Sequence, residues 1–320
     1  MTPIFNFNIS VIIPVYNAEQ YIRRAVTSVL DQEEVTEILI VEDGSQDNSQ
    51  EICLQLAASD KRIKLLQHPG KKNRGVSASR NLGIKRATNE FIAFLDADDY
   101  YLAGRFKLSL ERLKREKEID GIYEPIAMHN NNTEIRLIGT YDWIDPVELF
   151  EQLSPVGEYI WFHADGLTLR KSVFEEVSYF DENLQTNEDT LLWLQFAANK
   201  KLVCGNICQP VAMSERLDSG LSSNTELVLK NQIIMLMQLF KFLKRKSNHR
   251  RRELVLNRLL FYVTQEPYRQ NFQRLNLYAL IVKIIFIDIN FVLFKSKSFR
   301  KFAGDVIKYN RFKVHYENKS

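Results

Sequence analysis

The chain has 320 residues, 45% of them hydrophobic, with 12 glycines, 8 prolines and a net charge of +3. That is enough apolar material for one large domain or two modest ones, and it excludes a disordered or collagen-like chain. Three cysteines, Cys53, Cys204 and Cys208, are too few and too scattered for a disulfide framework; Cys204/Cys208 has no second ligand pair for zinc, and a reducing compartment is expected.

The N-terminal stretch from Pro3 to Val15 reads as a strand interrupted by Asn6, Asn8 and Ser10, with no basic lead-in, so no signal peptide is expected and a cytoplasmic location follows. A helix over 18–31 comes next, with Asn17 as cap, Gln20 completing a capping box, and Tyr21, Ile22, Ala25, Val26, Val29 and Leu30 as its buried stripe. The pattern then repeats: a strand over 37–41 and a helix over 49–58, a strand over 63–67 and a helix over 76–87, and a strand over 91–95. Such alternation predicts an open, mostly parallel α/β sheet with flanking helices.

Beyond residue 225 the texture becomes all-helical, with patterns over 226–245, 251–265, 275–294 and 298–309. Two units are therefore expected, 1–224 and 225–320. Residues 225–320 hold 20 Lys/Arg against 6 Asp/Glu, and residues 1–224 hold 23 against 34, so an acidic head precedes a basic tail. The longest apolar run, 275–294, contains Asn276, Lys283, Asp288 and Asn290, and falls short of the roughly 18 uninterrupted apolar residues of a spanning helix. Aromatic and aliphatic residues alternate with Lys/Arg through 272–313. Residues 241–313 are therefore expected to meet an anionic membrane surface; a bundle packing on the first unit is the alternative. No recognition motif accompanies the charge, so nucleic acid is not expected.

In parallel sheets, ligands bind beyond the carboxyl ends of the strands. There the chain carries Pro14-Val15-Tyr16-Asn17, Glu42-Asp43-Gly44-Ser45 and Asp96-Ala97-Asp98-Asp99. Three carboxylates within four residues repel one another unless a cation neutralises them, and Mg²⁺ or Mn²⁺ is commonly held by one or two carboxylates plus substrate phosphate. The plainer reading is a solvated acidic turn, with Asp99 capping a following helix. Asp43 can accept hydrogen bonds from a base edge or ribose. The segment from Asn73 through Gly75 to Arg80 opens a helix, and helix N-termini favour anions; Arg80 can reach a phosphate or pair with an acidic side chain.

The ordered set formed by these segments and Asn187-Glu188-Asp189 resembles the family 2 glycosyltransferases, over about residues 7–200. The resemblance implies the GT-A fold, a divalent cation (Mn or Mg), a nucleoside diphosphate-sugar donor with uridine favoured, and single-displacement inverting transfer by a hexosyltransferase. The implied acceptor is a glycan or a lipid-linked one, in cell-surface polysaccharide or glycolipid synthesis, with the enzyme peripheral on the inner membrane face. Residue by residue, it implies that Pro14, Tyr16, Asp43, Asn73, Gly75, Arg80 and Asp96 hold the donor nucleotide. Asp98 is implied as the direct metal ligand and Asp189 as general base. Trp161, His163, Asp165 and Glu188 fall where the acceptor pocket is built, with core packing the competing role for Trp161. One departure stands out: Asp218 replaces the His of an Arg-x-His segment. His68, His129, His249 and His315 read as surface residues. A processive synthase is disfavoured, because spanning helices and a Gln-x-x-Arg-Trp segment are missing. A pyrophosphorylase is disfavoured, because a Gly-rich N-terminal phosphate loop is missing. A non-catalytic, membrane-associated nucleotide-sugar-binding protein would require loss of Asp43, Asp98 or Asp189, and all three are present.

Overall fold

The computed structural model describes residues 7–130, 134–139, 142–157, 160–215, 225–245, 248–264, 282 and 284–304. The chain divides into two units, Met1–Thr225 and Glu226–Ser320.

The first unit is built on a seven-stranded sheet of order β10-β6-β9-β4-β1-β2-β3. Its strands are β1 (Ile9–Val15), β2 (Val35–Glu42), β3 (Ile63–Gln67), β4 (Phe91–Phe94), β6 (Gly121–Tyr123), β9 (Leu167–Arg170) and β10 (Leu202–Cys204). The interior strand β1 is apolar except for Ser10 and buried on both faces, as expected of a strand with parallel neighbours. It pairs in parallel with β2 and β4, and β2 with β3. Pro14 lies past the last β4 pair, Ile12↔Phe94, where its missing N–H removes no ladder bond on that side. The sheet is mixed because β9 runs antiparallel between β4 and β6. A second sheet, unanticipated from the sequence, has the order β5-β11-β7-β8 and joins β5 (Tyr100–Tyr101), β7 (Ile126–Asn130), β8 (Glu134–Ile138) and β11 (Ala212–Glu215).

Helices α1 (Ile22–Leu30), α2 (Ser49–Ser59) and α3 (Val76–Arg86) connect the first four strands, followed by α4 (Lys107–Arg115), α5 (Leu149–Gln152), α6 (Ser172–Glu176) and α7 (Glu188–Ala197). Helix α3 lies close on β1: a Cβ at Gly83 would meet Ile12 Cγ2 at 2.4 Å. The first helix is shorter than its periodicity implies. Asn17 does not cap it, because Asn17 turns at φ +50° and its Oδ1 accepts the Gln46 N–H at 2.8 Å, tying the end of β1 to the loop after β2.

The second unit contains α8 (Thr225–Arg245) and α9 (His249–Thr264), then short helical turns with a π turn at Phe291–Lys295. The helix expected over 275–294 is broken at Asp288 in its described part, and residues 275–281 lie outside the described residues. Leu236, Leu239, Phe240, Val255, Leu256, Leu259 and Val292 are buried in this unit. The Arg252 guanidinium pairs with Asp288 and stacks 3.8 Å from the Phe291 ring centroid. Among the described residues, no helix is long and apolar enough to cross a membrane.

Candidate active site

The chain runs from β1 outward to β3 and returns to the other side of β1 as β4, so the sheet's switch point lies between β1 and β4, where open α/β sheets bind ligands. The segments after β1, β2 and β4 meet at this edge. Asp43, after β2, is 3% exposed. Its Oδ1 accepts the Arg74 N–H at 2.7 Å and its Oδ2 accepts the Gly75 N–H at 2.8 Å. Burial pushes its carboxyl up, against the pull of those N–H groups. Gly44 makes the approach possible: it turns at φ +74°, and a Cβ there would sit 2.8 Å from the Lys71 carbonyl oxygen. His68 is not a surface residue. Its side chain is buried, with Nε2 3.1 Å from Ser79 Oγ and 3.7 Å from Asp43 Oδ1. Pro14 is half-buried, while Tyr16 and Asn73 are exposed.

The 96–99 segment is a tight turn closed by the Asp99 N–H donating to the Asp96 carbonyl at 3.1 Å. Such a turn brings its first and fourth residues together, and Asp96, Asp99 and His163 present ligand atoms that all lie within 4.8 Å of one another. Asp98, expected as the direct ligand, stands beside this group. Asp99 caps no helix; strand β5 follows it, and its buried Oδ1 accepts the Glu215 N–H at 2.9 Å. Asp165, on the short turn Ala164–Gly166, is fully buried. Its Oδ1 accepts the Asp96 N–H at 3.1 Å, and its Oδ2 lies 3.4 Å from His163 Nδ1. That burial removes Asp165 from any surface an acceptor could touch. Burial and the neighbouring carboxylates raise the Asp98 carboxyl to about 6 and the Asp99 carboxyl to about 11. Burial, the largest single effect, lowers the His163 imidazole, but Asp165, Asp96 and Asp189 together outweigh it and raise it to about 9.

Arg80, 5% exposed, donates through Nη2 to Asp96 Oδ1 at 2.7 Å and through Nη1 to Glu188 Oε1 at 3.2 Å. Both terminal nitrogens of its fork thus serve carboxylates; this is the acidic-pair alternative raised by the sequence. Burial opposes its charge, but Asp96, Glu188 and Asp189 raise its pKa. Glu188 and Asp189 open α7, where acids favour the helix dipole. Burial and Asp189 push Glu188 up to about 7, despite Arg80. Asp189 is half-buried, and its Oδ1 accepts the Thr190 N–H at 2.5 Å and the Thr190 hydroxyl at 3.1 Å. The structure therefore brings Arg80, Asp96, Asp98, His163, Asp165, Glu188 and Asp189 together around one turn. Trp161 is 65% exposed, so it is not a core residue.

Sequence reasoning missed the support beneath the turn. The Arg105 side chain is fully buried and donates to the Asp165 carbonyl at 3.1 Å, to Glu124 Oε2 at 2.8 Å and to the Leu167 carbonyl at 3.2 Å. Glu124 also accepts from Ser109 and, at 3.0 Å, from Asn206. The one hint was a charged residue inside the apolar run Ile122-Tyr123-Glu124-Pro125-Ile126. Arg24 was missed as well: it pairs with Glu215 at 2.6 Å and donates to the Asp98 carbonyl at 2.8 Å.

These residues fit a divalent cation. Two carboxylates and an imidazole converge beside a third carboxylate, Asp98, a donor set that suits a divalent ion. Residues 216–218, with Asp218 in place of the His, lie outside the described residues.

A mixed sheet with this strand-end architecture defines the GT-A fold of nucleotide-sugar-dependent enzymes. The model of the family "Glycosyl transferase family 2" matches residues 10–178, and the chain belongs to that family. An uncharacterized glycosyltransferase of Rickettsia conorii is 35% identical over 61% of this chain, and the chain spans 31% of that protein's length. The Escherichia coli UDP-Glc:alpha-D-GlcNAc-diphosphoundecaprenol beta-1,3-glucosyltransferase WfgD is 29% identical over 71% of this chain and 84% of its own length. Among solved structures, residues 1–349 of Staphylococcus aureus TarS match with a TM-score of 0.64 at 17% identity, over 88% of this chain and 80% of that one. The same TarS region in complex with UDP-GlcNAc matches with a TM-score of 0.58 at 18% identity, over 88% of this chain and 89% of that one.

Proposed function

We propose that the chain is an inverting, nonprocessive glycosyltransferase that moves a sugar from a UDP-sugar to a hydroxyl of a glycan or lipid-linked acceptor in cell-surface polysaccharide or glycolipid synthesis. The observation that carries this reading is the bridge from Asp96 through Arg80 to Glu188, which sets the first turn of α7, and with it Asp189, against the strand-end carboxylates. The named activity of the E. coli relative supports a UDP-sugar donor and a lipid-linked acceptor.

Asp43 and the 73–75 backbone line the nucleotide end, with Pro14 and Tyr16 beside them. Asp189 takes the proton from the acceptor hydroxyl as it attacks the anomeric carbon, a contribution of about 10² to 10⁴ in rate. A divalent cation, which Asp96, Asp98 and Asp99 of the 96–99 turn would hold, would supply charge stabilisation to the leaving nucleoside diphosphate. Trp161 offers an exposed ring face to the acceptor sugar.

The basic second unit is proposed to rest on the anionic inner face of the membrane. Val282, Phe286 and Ile289 are 47%, 77% and 47% exposed, and the exposed Lys295, Lys297, Arg300 and Lys301 follow.

Asp189→Asn tests the catalytic assignment. UDP release with acceptor should fall by at least about 10²-fold, while calorimetric UDP affinity stays within twofold of wild type. Normal turnover by this variant would end the assignment.

A further inference from the structure

The turn at Ala164–Gly166 places an imidazole and a buried carboxylate against the 96–99 turn. His163 Nδ1 faces Asp165 Oδ2 at 3.4 Å. That oxygen is completely shielded and makes no well-formed hydrogen bond among the described residues, with the Asp99 carboxyl also lying against Asp165. The other contact to Nδ1, from the Asp165 N–H at 3.5 Å, is at the limit of a hydrogen bond. With a metal ion in place of the ring's second proton, Nδ1–H donates to Oδ2, satisfies that oxygen and leaves the Nε2 lone pair for the ion. A ring nitrogen donating to a carboxylate while the other is free is the arrangement that fixes a metal-binding histidine.

The geometry points to His163 as a nitrogen ligand of the divalent cation, acting with Asp96 and Asp99, and to Asp165 as the positioning residue that orients its ring. This rests on the metal-dependent reading above and deepens it. The three ligand atoms lie within 4.8 Å of one another; ligands held about 2.0–2.1 Å from one ion lie at most ~4.2 Å apart, so binding draws the cluster together. Among the other described histidines, His68 is engaged by Asp43 and Ser79, His129 lies on β7 in register with Glu215, and His249 stacks on Phe291 in the other unit. Imidazole suits transition ions better than Mg²⁺, which keeps to oxygen ligands. The inferred set therefore selects Mn²⁺ over Mg²⁺.

The test is pulsed electron paramagnetic resonance of Mn²⁺ bound to the full chain with UDP, using protein labelled with ¹⁵N at histidine alongside unlabelled protein. A directly coupled nitrogen that changes from ¹⁴N to ¹⁵N on labelling and disappears in His163→Gln is expected. Asp165→Asn should keep the coupling while weakening Mn²⁺ about 10–100-fold. The ratio of Mn²⁺ to Mg²⁺ affinity should fall in His163→Gln, whose side chain is partly exposed and leaves the core intact. If Mn²⁺ tightens UDP binding but no histidine nitrogen is coupled, or the coupling survives in His163→Gln, His163 is an imidazolium paired with Asp165 and the inference is overturned while the donor reading stands. If Mn²⁺ does not alter UDP binding, metal dependence and the inference fall together.

Discussion

Arg105→Met removes the guanidinium that holds three groups beneath the active site. Glu124, 5% exposed, would keep a charge with no counter-ion, and breaking such a pair costs about 3–5 kcal/mol. The Asp165 and Leu167 carbonyls each lose a donor. Water cannot readily replace it, and each contributes roughly another 1 kcal/mol. A total of about 5–7 kcal/mol is a large part of the ~5–15 kcal/mol that stabilises a typical domain. The assay follows from where the tryptophans lie: Trp143, Trp161 and Trp193 all fall in the first unit, so their fluorescence reports its unfolding alone. With a urea slope of about 2–3 kcal/mol per molar, the midpoint should fall by roughly 1.5–3.5 M. Adding Glu124→Gln to Arg105→Met removes the stranded charge and should recover at least ~1 kcal/mol. A loss below about 1 kcal/mol in Arg105→Met, or a double variant less stable than the single, refutes the view that this pair bears the turn.

Glu188, raised to about 7 from 4.5, binds more protons folded than unfolded between those values. Its contribution is therefore full below pH 4.5 and is lost as pH rises through 7, by up to about 3 kcal/mol. Glu188→Gln should flatten that decline in tryptophan-monitored stability, and parallel wild-type and variant curves would contradict it. Gly83→Ala places a methyl 2.4 Å from Ile12 Cγ2 and should cost ~1–3 kcal/mol by overpacking; an unchanged melting temperature would show that α3 can shift freely. Phe286→Ser should reduce co-sedimentation with vesicles of anionic phospholipid, leave binding to neutral vesicles low, and leave UDP affinity unaltered. Equal sedimentation with anionic vesicles counts against membrane contact.

The parallel half of the sheet could be read from residues because its signals are local. The strand over 63–67 and the helix beginning at Val76 are bounded by turn residues and continuous apolar or periodic runs, and the structure places them where the pattern does. The second sheet could not be read, because the two residues of β5 and the four of β11 carry no periodicity and exist through pairing with distant strands. The capping box failed because Asn17 found a better partner in the Gln46 N–H across the sheet edge. In the site, Asp43, Asp96 and Glu188 were identifiable because each directly follows a strand or starts a helix. His68, Arg105 and Glu124 were not, because their importance lies in partners up to 82 residues away that no local pattern names.

The Arg24–Glu215 link, which closes the turn from the side, spans 191 positions, and this has a consequence for how the protein is made. Chains emerge at about 5–20 residues per second and fold first from the N-terminal end. Strands β1 to β4 can therefore align while the ribosome is still adding residues 163–189. During that interval Asp96, Asp98 and Asp99 stand at a strand edge with neither His163 nor the Arg105-held turn beneath them. The site is completed only when β9, α7 and β11 arrive. Truncated nascent chains should thus hold the nucleotide-side loop around Asp43 well before they acquire a working carboxylate cluster.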